Sequence, residues 1–113
     1  MAHRARYFCG HQGVTRLCVE PVTQVHQRAF VNAHAAVGAD ATMLAGAVIG
    51  TEARIDQGVI VNAAAVVDHN VQVSDFAHLG VEACVSGPAV SGAGAWLAEG
   101  AVIRAGQGNT AGP

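Results

Sequence analysis

The chain has 113 residues, a net charge of −2 and no lysine, a balance that excludes the basic footprint of a nucleic-acid-binding protein. Hydrophobic residues make up 51% and aromatic ones only 4%, so a single domain with a core of small aliphatic side chains is expected. No apolar run is long enough to span a membrane, and Met1–Arg16 lacks the apolar centre of a signal peptide.

Residues 1–18 hold three of the six arginines, the only tyrosine, and Cys9 and Cys18. This segment is expected to cover the open bottom edge of the repeat that begins at Val19, because uncovered sheet edges invite aggregation. Cys9, Cys18 and Cys84 have no metal-type spacing and read as reduced thiols of a cytoplasmic protein, with Cys9 and Cys18 able to pair if oxidised.

From Val19 every sixth residue is aliphatic: Val25, Val31, Val37, Met43, Ile49, Ile55, Val61, Val67, Val73, Leu79, Val85, Leu97 and Ile103, with Ser91 as the one exception. Four residues after each stands a small or β-branched side chain, from Thr23 and Ala29 through Ala65 and Ala83 to Ala101, with Gln107 as the exception. A period of six is neither the helical 3.6 nor a strand alternation. It marks a hexapeptide β-helix, in which each hexad supplies one short strand and one turn. The aliphatic residue points into a narrow prism and the small one fills its corner. Helices are excluded by glycine and β-branched residues throughout.

Three hexads close one triangular coil, so residues 18 apart stack. Residues 19–108 then form five coils, a column about 24 Å tall at a strand spacing of about 4.8 Å. Residues 109–113 are a short tail. No hexad carries an insertion, so no long loop is available as a lid. One file of small aliphatics falls short of the cost of ordering the backbone, and burial against other copies is expected to contribute. A homotrimer is expected.

The chemistry-bearing stretch is Val59–Gly87, with Asn62, the Asp68-His69 pair, the segment Asp75-Phe76-Ala77-His78-Leu79-Gly80, and Gly87. Here the chain resembles the hexapeptide-repeat left-handed β-helix acyltransferases, and within them the branch that acetylates sialic acid and bacterial UDP-amino sugars. The resemblance implies an all-β, single-domain, left-handed parallel β-helix; the hand comes from the resemblance and not from the period. It also implies acetyl-CoA as acyl donor and an amine or hydroxyl acceptor on a sugar, at sites shared between neighbouring subunits. Members of the amino-sugar branch usually carry an N-terminal Rossmann-like domain. The eighteen residues before the first coil hold no Gly-rich phosphate loop, so the β-helix alone is expected.

The resemblance implies a role for each residue of the stretch. His69 would be the general base that takes a proton from the acceptor, a task suited to an imidazole with a pKa near about 6.5; the bland alternative is a surface histidine on a turn. Asp68 or the Asn70 amide would orient it, Asn70 standing where relatives frequently carry an acid. Gly87, 18 residues on and one coil above, would offer its backbone N–H to the thioester oxygen, or be a turn glycine before Pro88. His78 would touch the coenzyme or the acceptor from a neighbouring subunit, or be an interface histidine. Asn62 would lie near the acceptor, or be a turn asparagine. His3, His11, His26 and His34 read as surface residues.

A zinc site of the carbonic-anhydrase-like kind would need histidines two coils apart and a third about five residues on. His34 and His69 are 35 apart and no two histidines are five apart, so no metal is expected. The competing reading is a catalytically silent trimeric scaffold or binding module; a metal-dependent carbonic-anhydrase-like protein is a further alternative.

Overall fold

The computed structural model describes residues 2–4 and 23–109. The structure is all-β, and its element order follows the hexads. The first strand, β1 (Ala2–Arg4), runs antiparallel to β2 (Gln24–His26), with His3 opposite Val25. From there short strands recur every six residues: β3 (Phe30–Val31), β4 (Ala36–Val37), β5 (Thr42–Met43), β6 (Val48–Ile49), β7 (Arg54–Ile55), β8 (Ile60–Val61), β9 (Val66–Val67) and β10 (Gln72–Val73). The upper column holds β11 (His78–Leu79), β12 (Cys84–Val85), β13 (Val90–Ser91), β14 (Trp96–Leu97), β15 (Val102–Ile103) and β16 (Gly108–Asn109).

These strands form the three faces of a prism. Face 1 is β2-β5-β8-β11-β14, face 2 is β3-β6-β9-β12-β15, and face 3 is β4-β7-β10-β13-β16. Pairing within the faces is parallel and each partner lies 18 residues away, as in Val67↔Val85 and His78↔Trp96. Backbone bonds join successive coils, such as Asp68 N–H to Val85 O at 2.9 Å and His78 N–H to Ala95 O at 2.8 Å.

The two expected series line the interior. Met43, Ile49, Val61, Val67, Val73, Leu79 and Val85 are fully buried, as are Ala41, Ala47, Ala65 and Ala83 at the corners. Ser91, the exception in the aliphatic series, keeps its inward place, and its Oγ is buried without a hydrogen-bond partner among the described residues.

Two further features stand out. The sealed column makes about four turns, not five. Val19 lies outside the described residues, and Val25, Val31 and Val37 of the lowest coil are only half-buried around a cavity of about 590 Å³. The second is at the corners. The third residue after each inward position takes a left-handed backbone from Asp40 (φ 58°) through Asn70 (φ 55°) and Glu82 (φ 61°) to Gly106 (φ 81°). Pro88 is the exception, since its ring fixes φ near about −65°; that corner turns through a cis Gly87–Pro88 bond. Apart from β1, the expected cap over residues 1–18, with Cys9, Cys18 and His11, lies outside the described residues, as does the tail beyond Asn109. His26 is half-buried at the same cavity, where its Nδ1 accepts the Arg28 N–H at 3.0 Å. His34 is exposed.

Candidate active site

The turn Asp68-His69-Asn70 links β9 on face 2 to β10 on face 3. Asn70 closes it with a positive φ and donates its N–H to Thr51 O at 3.0 Å in the coil below. Asparagine tolerates that backbone better than most side chains. The local fold therefore gives Asn70 a structural task on the turn. The inward residues Val67 and Val71 bury the base of the turn and leave its three side chains exposed.

The corner is closely stacked. In the coil below, a Cβ added to Gly50 would come within 3.0 Å of the Asp68 carbonyl carbon and the His69 nitrogen. In the coil above, a Cβ on Gly87 would overlap the His69 carbonyl oxygen. Glycine at 87 is thus demanded by the approach of two backbones, and it leaves its own N–H beside the side chains of the turn.

Asp68 joins His69 and Gly87. Its Oδ1 lies 3.2 Å from His69 Nδ1, and its Oδ2 faces the Gly87 N–H at 3.5 Å. The His69 backbone N–H holds the Asp68 carboxyl below the usual carboxylate range, as does the His69 ring; partial burial opposes this and the Gly87 N–H adds to it. Asp68 is therefore ionised at neutral pH, with its charge beside His69 Nδ1. Since Asp68 takes the Nδ1 side, Nε2 is the ring nitrogen left to meet a substrate.

Asn62 and His78 lie elsewhere in the same chain. His78 points outward from β11 on face 1, while Asn62 begins the corner between faces 1 and 2 and accepts the Ala63 N–H at 2.7 Å. The two line a shallow cleft of about 180 Å³ with Gly80, Trp96 and Glu99. The structure thus brings Asp68, His69 and Gly87 together, and Asn62 with His78, as two groups on different sides of the column. Trp96 was not singled out from the sequence. Its indole meets the His78 ring with centroids 4.9 Å apart at 51°. The 18-residue spacing between them was the signal that could have found it.

Among the described residues, no group of three or more His, Cys, Asp and Glu is placed to hold a metal ion. Among the same described residues, no helix is long and apolar enough to cross a membrane.

No family model matches the chain, and no curated protein does. Solved structures do. PerB from Caulobacter crescentus, crystallised with CoA and GDP-perosamine, is 29% identical with a TM-score of 0.77 over 79% of this chain and 43% of its own. A histidine-to-asparagine variant of perosamine N-acetyltransferase from the same organism, also with CoA and GDP-perosamine, is 28% identical with a TM-score of 0.77, over 79% of this chain and 42% of its own. The acetyltransferase domain of PglB from Neisseria gonorrhoeae FA1090, in complex with acetyl coenzyme A, is 27% identical with a TM-score of 0.58 over 74% and 54%. The chain spans about half the length of these proteins. In fold and sequence, the chain is similar to the left-handed hexapeptide-repeat β-helix acetyltransferases.

Proposed function

We propose that the protein transfers an acetyl group from acetyl-CoA to an amine or hydroxyl of a sugar, with an amino sugar as the leading acceptor class. The observation that carries this reading is the Asp68–His69 pair set directly beneath the Gly87 amide. The reading is supported by likeness to acetyltransferases crystallised with CoA and an amino-sugar nucleotide.

His69 Nε2 takes the proton of the attacking amine or hydroxyl while the ionised Asp68 stabilises the imidazolium. The acceptor nitrogen or oxygen bonds to the acetyl carbon, the Gly87 N–H receives the charge that develops on the carbonyl oxygen, and the carbon–sulfur bond breaks. The proton on His69 goes to the departing sulfur, releasing CoA as its thiol. No acyl-enzyme is required.

The working form is a homotrimer. Faces 1 and 2 carry exposed apolar side chains at their outward positions: Ile60 and Trp96 on face 1, and Phe30, Val48 and Val102 on face 2. Face 3 carries Arg54, Asp56 and Gln72, linked by bonds of 3.3 and 3.2 Å, with Val90 its large apolar exposure. Such a division suits two packed faces and one solvated face. Packing face 2 of one copy on face 1 of the next would carry His78 and Asn62 toward the His69 corner at the outer edge of face 2.

Purified protein is incubated with acetyl-CoA and a panel of amino sugars and their nucleotide derivatives, and free thiol is followed. Acceptor-dependent thiol release that is lost in His69→Ala supports the transferase. A trimer that binds no acetyl-CoA at millimolar concentration leaves the silent scaffold in its place.

A further inference from the structure

Both oxygens of the Asp68 carboxylate are engaged, and by the two groups that the proposed transfer needs free or active. Oδ1 faces the His69 ring at 3.2 Å and Oδ2 faces the Gly87 N–H at 3.5 Å. The second contact sits at the far limit of a hydrogen bond and is easily exchanged. A carbonyl oxygen at ordinary bonding distance is a better partner for that N–H than a carboxylate oxygen 3.5 Å away. The two contacts also compete for one charge: donation from Gly87 to Oδ2 withdraws electron density that Oδ1 would otherwise present to His69.

We infer that Asp68 couples acyl-donor binding to base strength: the donor's carbonyl takes the Gly87 N–H from Asp68, and the released carboxylate then holds a proton on His69 more tightly. This rests on the proposed transfer and adds to it an order of events, in which the base strengthens only once the acyl group is seated. Free enzyme carries the weaker base. Coupling of this kind is reciprocal, so protonation of His69 favours binding of acetyl-CoA by the same factor. Asp68 acts through His69 and Gly87 and is a positioning residue.

The surroundings leave Asp68 as the dominant partner. The corner below carries Glu52, in register with Asn70, and the corner above, Ser86-Gly87-Pro88, carries no charge; Arg104 stands a further coil up. From face 3, Gln72 of β10 is neutral and is bonded to Asp56. Thr51, immediately below His69, is uncharged.

The test is the His69 ring titration, followed by NMR in the full chain without ligand, with saturating CoA and with saturating acetyl-CoA, no acceptor being present. CoA has the nucleotide and the thiol but no acyl carbonyl. The titration midpoint is expected to rise with acetyl-CoA and to stay where it was with CoA. In Asp68→Asn, which keeps the shape but not the charge, acetyl-CoA should cause no rise. Equal midpoints with the two coenzymes, or the same rise in Asp68→Asn, overturns the coupling and leaves the transferase standing. Binding of neither coenzyme overturns the transferase, and the coupling with it.

Discussion

Gly87 lies one coil above His69, and its Cα faces the His69 carbonyl oxygen with no room for a side chain between them. Two independent demands meet there: close stacking of two backbones, and an amide N–H presented to the side chains of the turn below. Gly87→Ala must push the two coils apart at this corner. The expected outcome is a lower melting temperature, since overpacking typically costs about 1–3 kcal/mol. Turnover should fall about 10²-fold or more with the displaced N–H. An alanine variant as stable as the wild type would show that the stacking is looser than described.

Ser91 offers the opposite experiment. It occupies an inward position in the aliphatic file, fully buried, with an Oγ that finds no partner among the described residues. Removing a buried unsatisfied hydroxyl recovers about 1–3 kcal/mol. Ser91→Ala should therefore raise the melting temperature, measured by calorimetry at neutral pH. A fall of a degree or more would mean that the hydroxyl is satisfied in solution.

The Asp68 carboxyl is held below its ordinary pKa of 3.8 by its contacts with His69, and this fixes the sign of its effect on stability. A group whose folded-state pKa is depressed adds stability above the unfolded value and loses it as pH falls through the folded one. Asp68→Asn should thus melt slightly below the wild type at pH 6, with the gap closing as the pH drops through and below 3.8. The gap is small because half of the side chain faces solvent. A gap that widens on acidification would contradict the assignment.

Assembly is tested by sedimentation at micromolar concentration, where a mass of about three chains is expected. Val48→Asp places a charge at an outward position of face 2 without touching the core, and should shift the mass toward the monomer. A folded wild-type monomer would refute the proposed packing of faces 1 and 2.

The interior was legible because it is one-dimensional. Once Val67 is known to point inward, the period assigns its counterparts, Ile49 in the coil below and Val85 in the coil above, and the observed pairs obey that spacing. The period says less about corners. It marks position 88 as one more left-handed turn residue, but proline cannot take that backbone, and the corner closes by another route. The Asp68-His69 pair was readable as neighbours in sequence, whereas the His78–Trp96 contact becomes visible only when the chain is wrapped at 18 residues per coil. The ends were the least legible: nothing in a hexad says whether Val25 or Val37 has a layer beneath it.

The central claim is that His69 acts as a base on the acceptor and takes no part in the packing, its side chain being half exposed. The most direct measurement compares His69→Ala with wild type for acceptor-dependent thiol release, acetyl-CoA binding and melting temperature in one preparation. The expected result is turnover lower by about 10²–10⁴, with binding and melting nearly unchanged. The exposed His34, on another hexad, serves as control, and His34→Ala should be silent. Undiminished turnover in folded His69→Ala would contradict the account.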